Sequence, residues 1–181
     1  MAEAWKRVDP TTTTKVDRRT VVIKTFEMPD GQTHPFATFN HETLRCAAVI
    51  ALTPDNRVVV ARQFRPGPEK IMDELPGGGV KDGEDPQAAA ERELLEETGY
   101  VPEHMEPLGT STRDAYANGT WYYYLATGCT LSAGGQQLDD QEYVDSAVIS
   151  IDQFLANARE DRMTDTAAVV MAYERLLQLR A

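Results

Sequence analysis

The sequence predicts a mixed α/β sandwich with antiparallel strands ahead of its main sheet. Two observations predict it. Four β-rich runs precede any convincing helix, and the order of elements is then helix, strands, helices, which suits a mixed sheet rather than a doubly wound parallel one. The size agrees: 181 residues fit one domain with a small appendage, and a hydrophobic fraction of 41% is enough to build a core.

Residues 1–18, with four threonines (11–14) after Pro10, read as a tail or arm. Residues 20–26 (TVVIKTF) are strand-like, Pro29-Asp30-Gly31 supplies a turn, and residues 34–39 continue as a second strand, so a hairpin is expected. Two further runs, 46–53 (CAAVIALT) and 57–64 (RVVVARQF), flank the turn residues Pro54-Asp55-Asn56. The first helix is well marked: Asp85 can cap it, Pro86 suits its first position, and Gly99 suits the position past its end. A β-rich stretch at 121–126, a polar loop at 132–141 and a strand at 143–151 follow. Two helices close the chain, near 152–159 and 164–179; in the second, Val169, Tyr173, Leu176 and Leu177 form the stripe expected to meet a core.

Charge narrows the function. Against 29 acidic residues stand 18 basic ones, a formal charge of −11. A field of that sign repels nucleic acid and anionic lipid, so neither is expected as a partner, and an anionic substrate would need positive charge supplied locally. A divalent cation is the obvious candidate. Cys46 and Cys129, 83 positions apart with no CxxC or Cys/His cluster, read as small hydrophobes rather than a disulfide or zinc site. No apolar run resembles a signal peptide or approaches the ~20 residues of a membrane span, so a cytoplasmic location is expected.

The chemistry concentrates in residues 77–100. At about 100° per residue, Glu93, Glu96 and Glu97 fall within roughly a 100° arc, with Ala90 and Leu94 beside it. Glutamates on a helix are usually solvated, but these crowd the C-terminal half, where the helix dipole disfavours negative charge. Glu93 and Glu97 are also a like-charge i,i+4 pair. A sequence that tolerates both gains something from a bound cation, and hard oxygen ligands suit Mg²⁺ or Mn²⁺.

Gly78, Glu84, Arg92, Glu93, Leu94, Glu96, Glu97, Gly99 and Tyr100 resemble the Nudix box, G-x5-E-x7-R-E-U-x-E-E-x-G-U, with U a bulky aliphatic residue. Every fixed position is met; Tyr100 departs only in being aromatic. The resemblance implies a Nudix α/β/α sandwich in residues 44–181, preceded by an arm and antiparallel strands in 1–43. It implies that Glu93 and Glu97 are the principal Mg²⁺ ligands, joined by Glu96 and the carbonyl of Gly77, with Mn²⁺ as a substitute. Arg92 and Glu84 look like the pair that orients those glutamates, a role no different from an ordinary salt bridge. The implied reaction is attack of water on a diphosphate linkage, which metal ions promote by neutralising charge and activating the water. The general base comes from outside the box in this reading, and the acidic loop 139–142 offers Glu142, with Asp140 as an alternative.

Beyond the box the chain is similar to the ADP-ribose pyrophosphatase branch. The N-terminal strands, Gln63-Phe64-Arg65-Pro66 and Glu74-Leu75-Pro76-Gly77-Gly78 carry the likeness. It implies a substrate cleft lined by Arg65 and Glu74, a nucleoside diphosphate sugar such as ADP-ribose as substrate, and a homodimer formed through the N-terminal strands. Residues 111–120 (STRDAYANGT) lack the proline of the branch, and Tyr116 resembles relatives that cleave diadenosine polyphosphates. A non-catalytic nucleotide-binding module is a third reading, disfavoured because such relatives commonly lose box glutamates. RNA decapping is disfavoured by the acidic charge.

Overall fold

The computed structural model describes residues 4–16, 19–138 and 142–180. It divides into two compact units. The first comprises residues 1–44 with 112–120, and the second residues 45–111 with 121–181.

The first unit is a three-stranded antiparallel sheet. Strand β1 (Lys6–Val16) pairs with β2 (Arg19–Glu27), which pairs with β3 (Thr33–Phe39). All of β1 falls in the stretch, residues 1–18, expected as a tail or arm. Its threonines are β-branched and favour the pleated backbone, while β2 supplies the partner edge that composition alone does not reveal. Segment 112–120 joins this sheet, not the second unit that flanks it in sequence. Phe39 N donates to Tyr116 O at 2.8 Å, and Asn118 N donates to Phe39 O at 2.7 Å. The buried Asn118 amide donates to Thr38 Oγ1 and to Asn40 O, both at 2.9 Å, and Lys24 Nζ donates to Asn118 Oδ1.

The second unit is a mixed seven-stranded sheet with three helices. Strands β4 (Arg45–Leu52), β5 (Val58–Arg65), β10 (Thr120–Thr127), β9 (His104–Ser111) and β12 (Val144–Ile149) lie in the order β12-β5-β4-β10-β9. Strand β6 (Lys70–Glu74) pairs with β5, and β7 (Gly77–Gly79) with β4. Two short strands, β8 (Tyr100–Val101) and β11 (Thr130–Leu131), pair apart from this sheet. Helix α1 (Pro86–Thr98) lies on one face, where Ala89, Ala90 and Leu94 pack against Ala47, Val49 and Ala51 of β4. Small residues on that side of β4 let the helix approach closely. The alternate residues Ile50 and Leu52, also buried, point to the opposite face.

Helices α2 (Ile151–Arg159) and α3 (Thr166–Leu179) supply further buried residues, among them Phe154, Leu155, Ala168, Ala172 and Leu176. The buried row of α3 is rotated from the expected stripe. Ala168, Ala172 and Leu176 recur every four residues and turn inward with Val169, leaving Tyr173 exposed. Alanines carry too little hydrophobic weight to announce a packing face, yet they are what close helix packing requires. Both cysteines are free. Among the described residues no helix is long and apolar enough to cross a membrane.

Candidate active site

The site is built where β7 passes the C-terminal half of α1. Asp85 caps the helix by accepting from Gln87 N at 2.9 Å, and Gly99 ends it with φ of 78°. Those two signals fix the register, so the face opposite solvent is set by residue number alone. Ala89, Ala90 and Leu94 fill it, and Glu97, one turn further on, is carried down with them to 6% exposure. A helix lying on a sheet therefore buries a carboxylate at the edge of its own core.

The glycine strand makes room for it. Gly77 N donates to Glu97 Oε2 at 2.9 Å. Glu93 lies over Gly78, where a Cβ would stand 2.4 Å from Glu93 Oε1. A Cβ on Gly77 would stand 2.5 Å from Ala47 O and 2.7 Å from Ala48 Cα. The first glycine is thus demanded by the backbone of β4 and the second by a carboxylate. The glycine strand thus lies directly against the Glu93 and Glu97 carboxylates, hard oxygen donors of the kind that suits a divalent cation.

Arg92 organises the rest. Its Nε and Nη2 donate to the two oxygens of Glu84 at 2.9 and 3.1 Å, and Nη2 also donates to Gly79 O at 3.0 Å. Its Nη1 donates to Glu93 Oε1 at 2.7 Å and to Glu96 Oε2 at 2.9 Å. The guanidinium's planar fork thereby ties the loop before α1 to two helix glutamates. Hydrogen bonds from Arg92 and from Lys81 N hold the Glu84 carboxyl down at about 2. Among the described residues no three Asp, Glu, His or Cys side chains enclose a common point, because Glu93 and Glu96 are turned to Arg92.

Burial pushes the Glu97 carboxyl up to about 8, with the Glu93 charge adding to the rise and Gly77 N and Arg65 opposing it. Burial also raises Glu93, against the pull of Arg92. The charge of Glu142 adds to the rise at both Glu93 and Glu97, so this exposed residue stands within electrostatic reach of the box helix. Arg65, at the end of β5, reaches the same carboxylate with opposite sign. The fold thus gathers Arg65, Gly77, Glu84, Arg92, Glu93, Glu96, Glu97 and Glu142 in one unit. Asp140 lies outside the described residues.

Glu74 has a different station from the cleft-lining one expected. It is fully buried, and its oxygens accept from Thr164 N at 2.9 Å, Thr164 Oγ1 at 2.6 Å and Arg65 Nη2 at 3.3 Å. No surface is left for a substrate contact; the carboxylate anchors Arg65 to the connection between α2 and α3. Thr164 and the carbonyl of Gly79 are site-supporting groups that sequence reasoning missed. Neither carries a signal, since a threonine in a loop and a backbone carbonyl look alike everywhere.

Comparison with known proteins gives a consistent picture. The family described as NUDIX domain matches residues 42–170. A methanol dehydrogenase activator of Bacillus methanolicus is 37% identical over 145 residues, covering 80% of this chain and 77% of that protein. An ADP-ribose pyrophosphatase of Bacillus subtilis (strain 168) is 27% identical over 134 residues, covering 74% of this chain and 71% of its own length. A solved structure of an ADP compounds hydrolase shares the fold, with a TM-score of 0.78 over 98% of this chain and 97% of that one, at 18% identity.

Proposed function

Because the chain belongs to the Nudix hydrolase family, we propose that it hydrolyses the diphosphate bond of ADP-ribose or a related nucleoside diphosphate sugar, releasing a nucleoside monophosphate and a sugar phosphate. The observation that carries this reading is the burial of Glu97 beside Gly77, with Glu93 over Gly78 and with Arg65 and Glu142 reaching the same carboxylate. The similarity to an ADP-ribose pyrophosphatase supports the substrate class.

Glu93, Glu96, Glu97 and the Gly77 carbonyl would hold Mg²⁺, with Mn²⁺ as a substitute. When bound, the metal neutralises diphosphate charge and makes a coordinated water a better nucleophile. The chain's own groups do the rest. Arg92 keeps Glu93 and Glu96 beside the glycine strand and releases them by small side-chain rotations, while Glu84 keeps Arg92 in place. Arg65 binds a phosphate oxygen of the substrate and is aimed by Glu74. Glu142, which is exposed, accepts the proton of the attacking water. Residues 1–43 form the dimerisation region of a cytoplasmic homodimer.

The test is a product assay of the purified protein with Mg²⁺ against ADP-ribose, other nucleoside diphosphate sugars and diadenosine polyphosphates. AMP released mainly from ADP-ribose upholds the reading. Preference for a dinucleotide moves the weight to the Tyr116 segment, and silence with both Mg²⁺ and Mn²⁺ returns the binding-module reading. A second reading is favoured by the 37% identical relative, named as an activator of a dehydrogenase: the chain acts on a partner enzyme. Hydrolysis by the isolated chain, unchanged when a dehydrogenase is added, separates the two.

A further inference from the structure

The C-terminus of α1 is closed by a segment far away in sequence. A helix leaves its last four carbonyls without partners in the helix, and water commonly takes them. Here Gly99 N donates to Leu95 O at 2.8 Å, Gln137 N to Glu96 O at 2.9 Å, and Ser132 N to Gly99 O at 2.8 Å. The Gln136 side chain takes one more of these carbonyls. Its Nε2 donates to Glu97 O at 2.5 Å and to Val144 O at 2.8 Å. Loop 132–138 lies so close over the helix end that a Cβ on Gly99 would stand 2.9 Å from Gln136 N and from Gly135 C.

We infer that Gln136 is a positioning residue that sets how far Glu142 stands from Glu97. One amide group carries two N–H donors at a fixed angle, and here each reaches a different carbonyl. One carbonyl belongs to Glu97 of the box helix; the other belongs to Val144, two residues beyond Glu142. Val144 is itself pinned in β12, opposite Gln63 of β5. The amide therefore spans the gap between the helix and the segment bearing the proposed base. Without the strap the segment can shift away from the helix end, and an ångström of misplacement at a reacting group costs about 100-fold in rate. The inference rests on Glu142 acting as the base.

Three substitutions and two measurements test it. Gln136→Ala removes the donors, Gln136→Glu keeps the shape but turns acceptors toward two carbonyls, and Gln136→Lys keeps donors of similar reach. The first two are expected to lower kcat by about 10- to 100-fold with KM within about threefold, and lysine to restore part of the loss. In a Glu142→Gln background, Gln136→Ala is expected to add no further loss, because the residue acts through Glu142. Additive losses overturn the inference. The second measurement needs no turnover: amide hydrogen exchange across residues 142–144 should be faster by about tenfold or more in Gln136→Ala, with the middle of α1 unchanged. Unchanged exchange overturns the inference by itself. Full kcat in Glu142→Gln alone sinks the general-base assignment instead, and the exchange result still decides whether Gln136 fixes the segment.

Discussion

Replacing Glu97 by glutamine should make the metal-free protein more stable while disabling it. The native carboxyl is raised from 4.5 to about 8, mainly by burial. The folded state therefore holds more protons than the unfolded state between those values, and stability falls as pH rises through that window. Integrating the two titrations gives a loss of about 1 kcal/mol at pH 5, about 3 at pH 7 and about 5 at pH 9. Wild type in chelator should thus lose ~4 kcal/mol between pH 5 and pH 9 from this group. Glutamine keeps an oxygen for Gly77 N and has no charge to desolvate, so Glu97→Gln should lose none of it. Urea unfolding of both proteins in chelator at pH 5, 7 and 9 reads the difference directly. The same logic makes Mg²⁺ binding expel a proton, so wild-type affinity should tighten by up to about tenfold per pH unit below about 8. Parallel pH profiles for the two proteins, or Mg²⁺ affinity indifferent to pH, would refute the reasoning.

Three more outcomes are expected. Gly78→Ala meets only the flexible end of Glu93, whereas Gly77→Ala meets the backbone of β4; the first should cost less than about 1 kcal/mol yet lower kcat sharply, and the second should cost about 3 kcal/mol or more, both read by urea unfolding beside an activity assay. Glu74→Gln leaves Thr164 a partner but removes the charge facing Arg65, so stability should fall by about 1–3 kcal/mol and KM should rise more than kcat falls; an unchanged KM counts against Arg65 as a phosphate contact. In the first unit, hydrogen bonds from Arg7 and Lys24 hold the Glu42 carboxyl down at about 2. Its contribution is present above the unfolded value near 4.5 and lost as pH falls through about 2, so the stability gap between wild type and Glu42→Gln should close over that range in acid unfolding.

The sequence by itself determined helix α1, which carries the candidate site. Asp85, Pro86 and Gly99 state its ends, and helical geometry then dictates that Glu93, Glu96 and Glu97 share a face beside Ala90 and Leu94. Local rules suffice because every distance involved spans a turn or two of one helix. The central strands β4 and β5 were legible for a similar reason, their apolar runs being bounded by turn residues. Strand β1 was not, since a threonine-rich arm becomes a strand only when β2 offers its edge. Segment 112–120 was also illegible: Asn118 chooses the N-terminal sheet through bonds to Thr38, Asn40 and Lys24, 78 to 94 positions away. Tertiary structure alone decided that Glu74 is enclosed, that Gln136 bridges Glu97 to Val144, and that Arg65 and Glu142 reach one carboxylate. Those facts depend on where separate elements come to rest against each other, which packing across the whole sheet decides and no local spacing encodes.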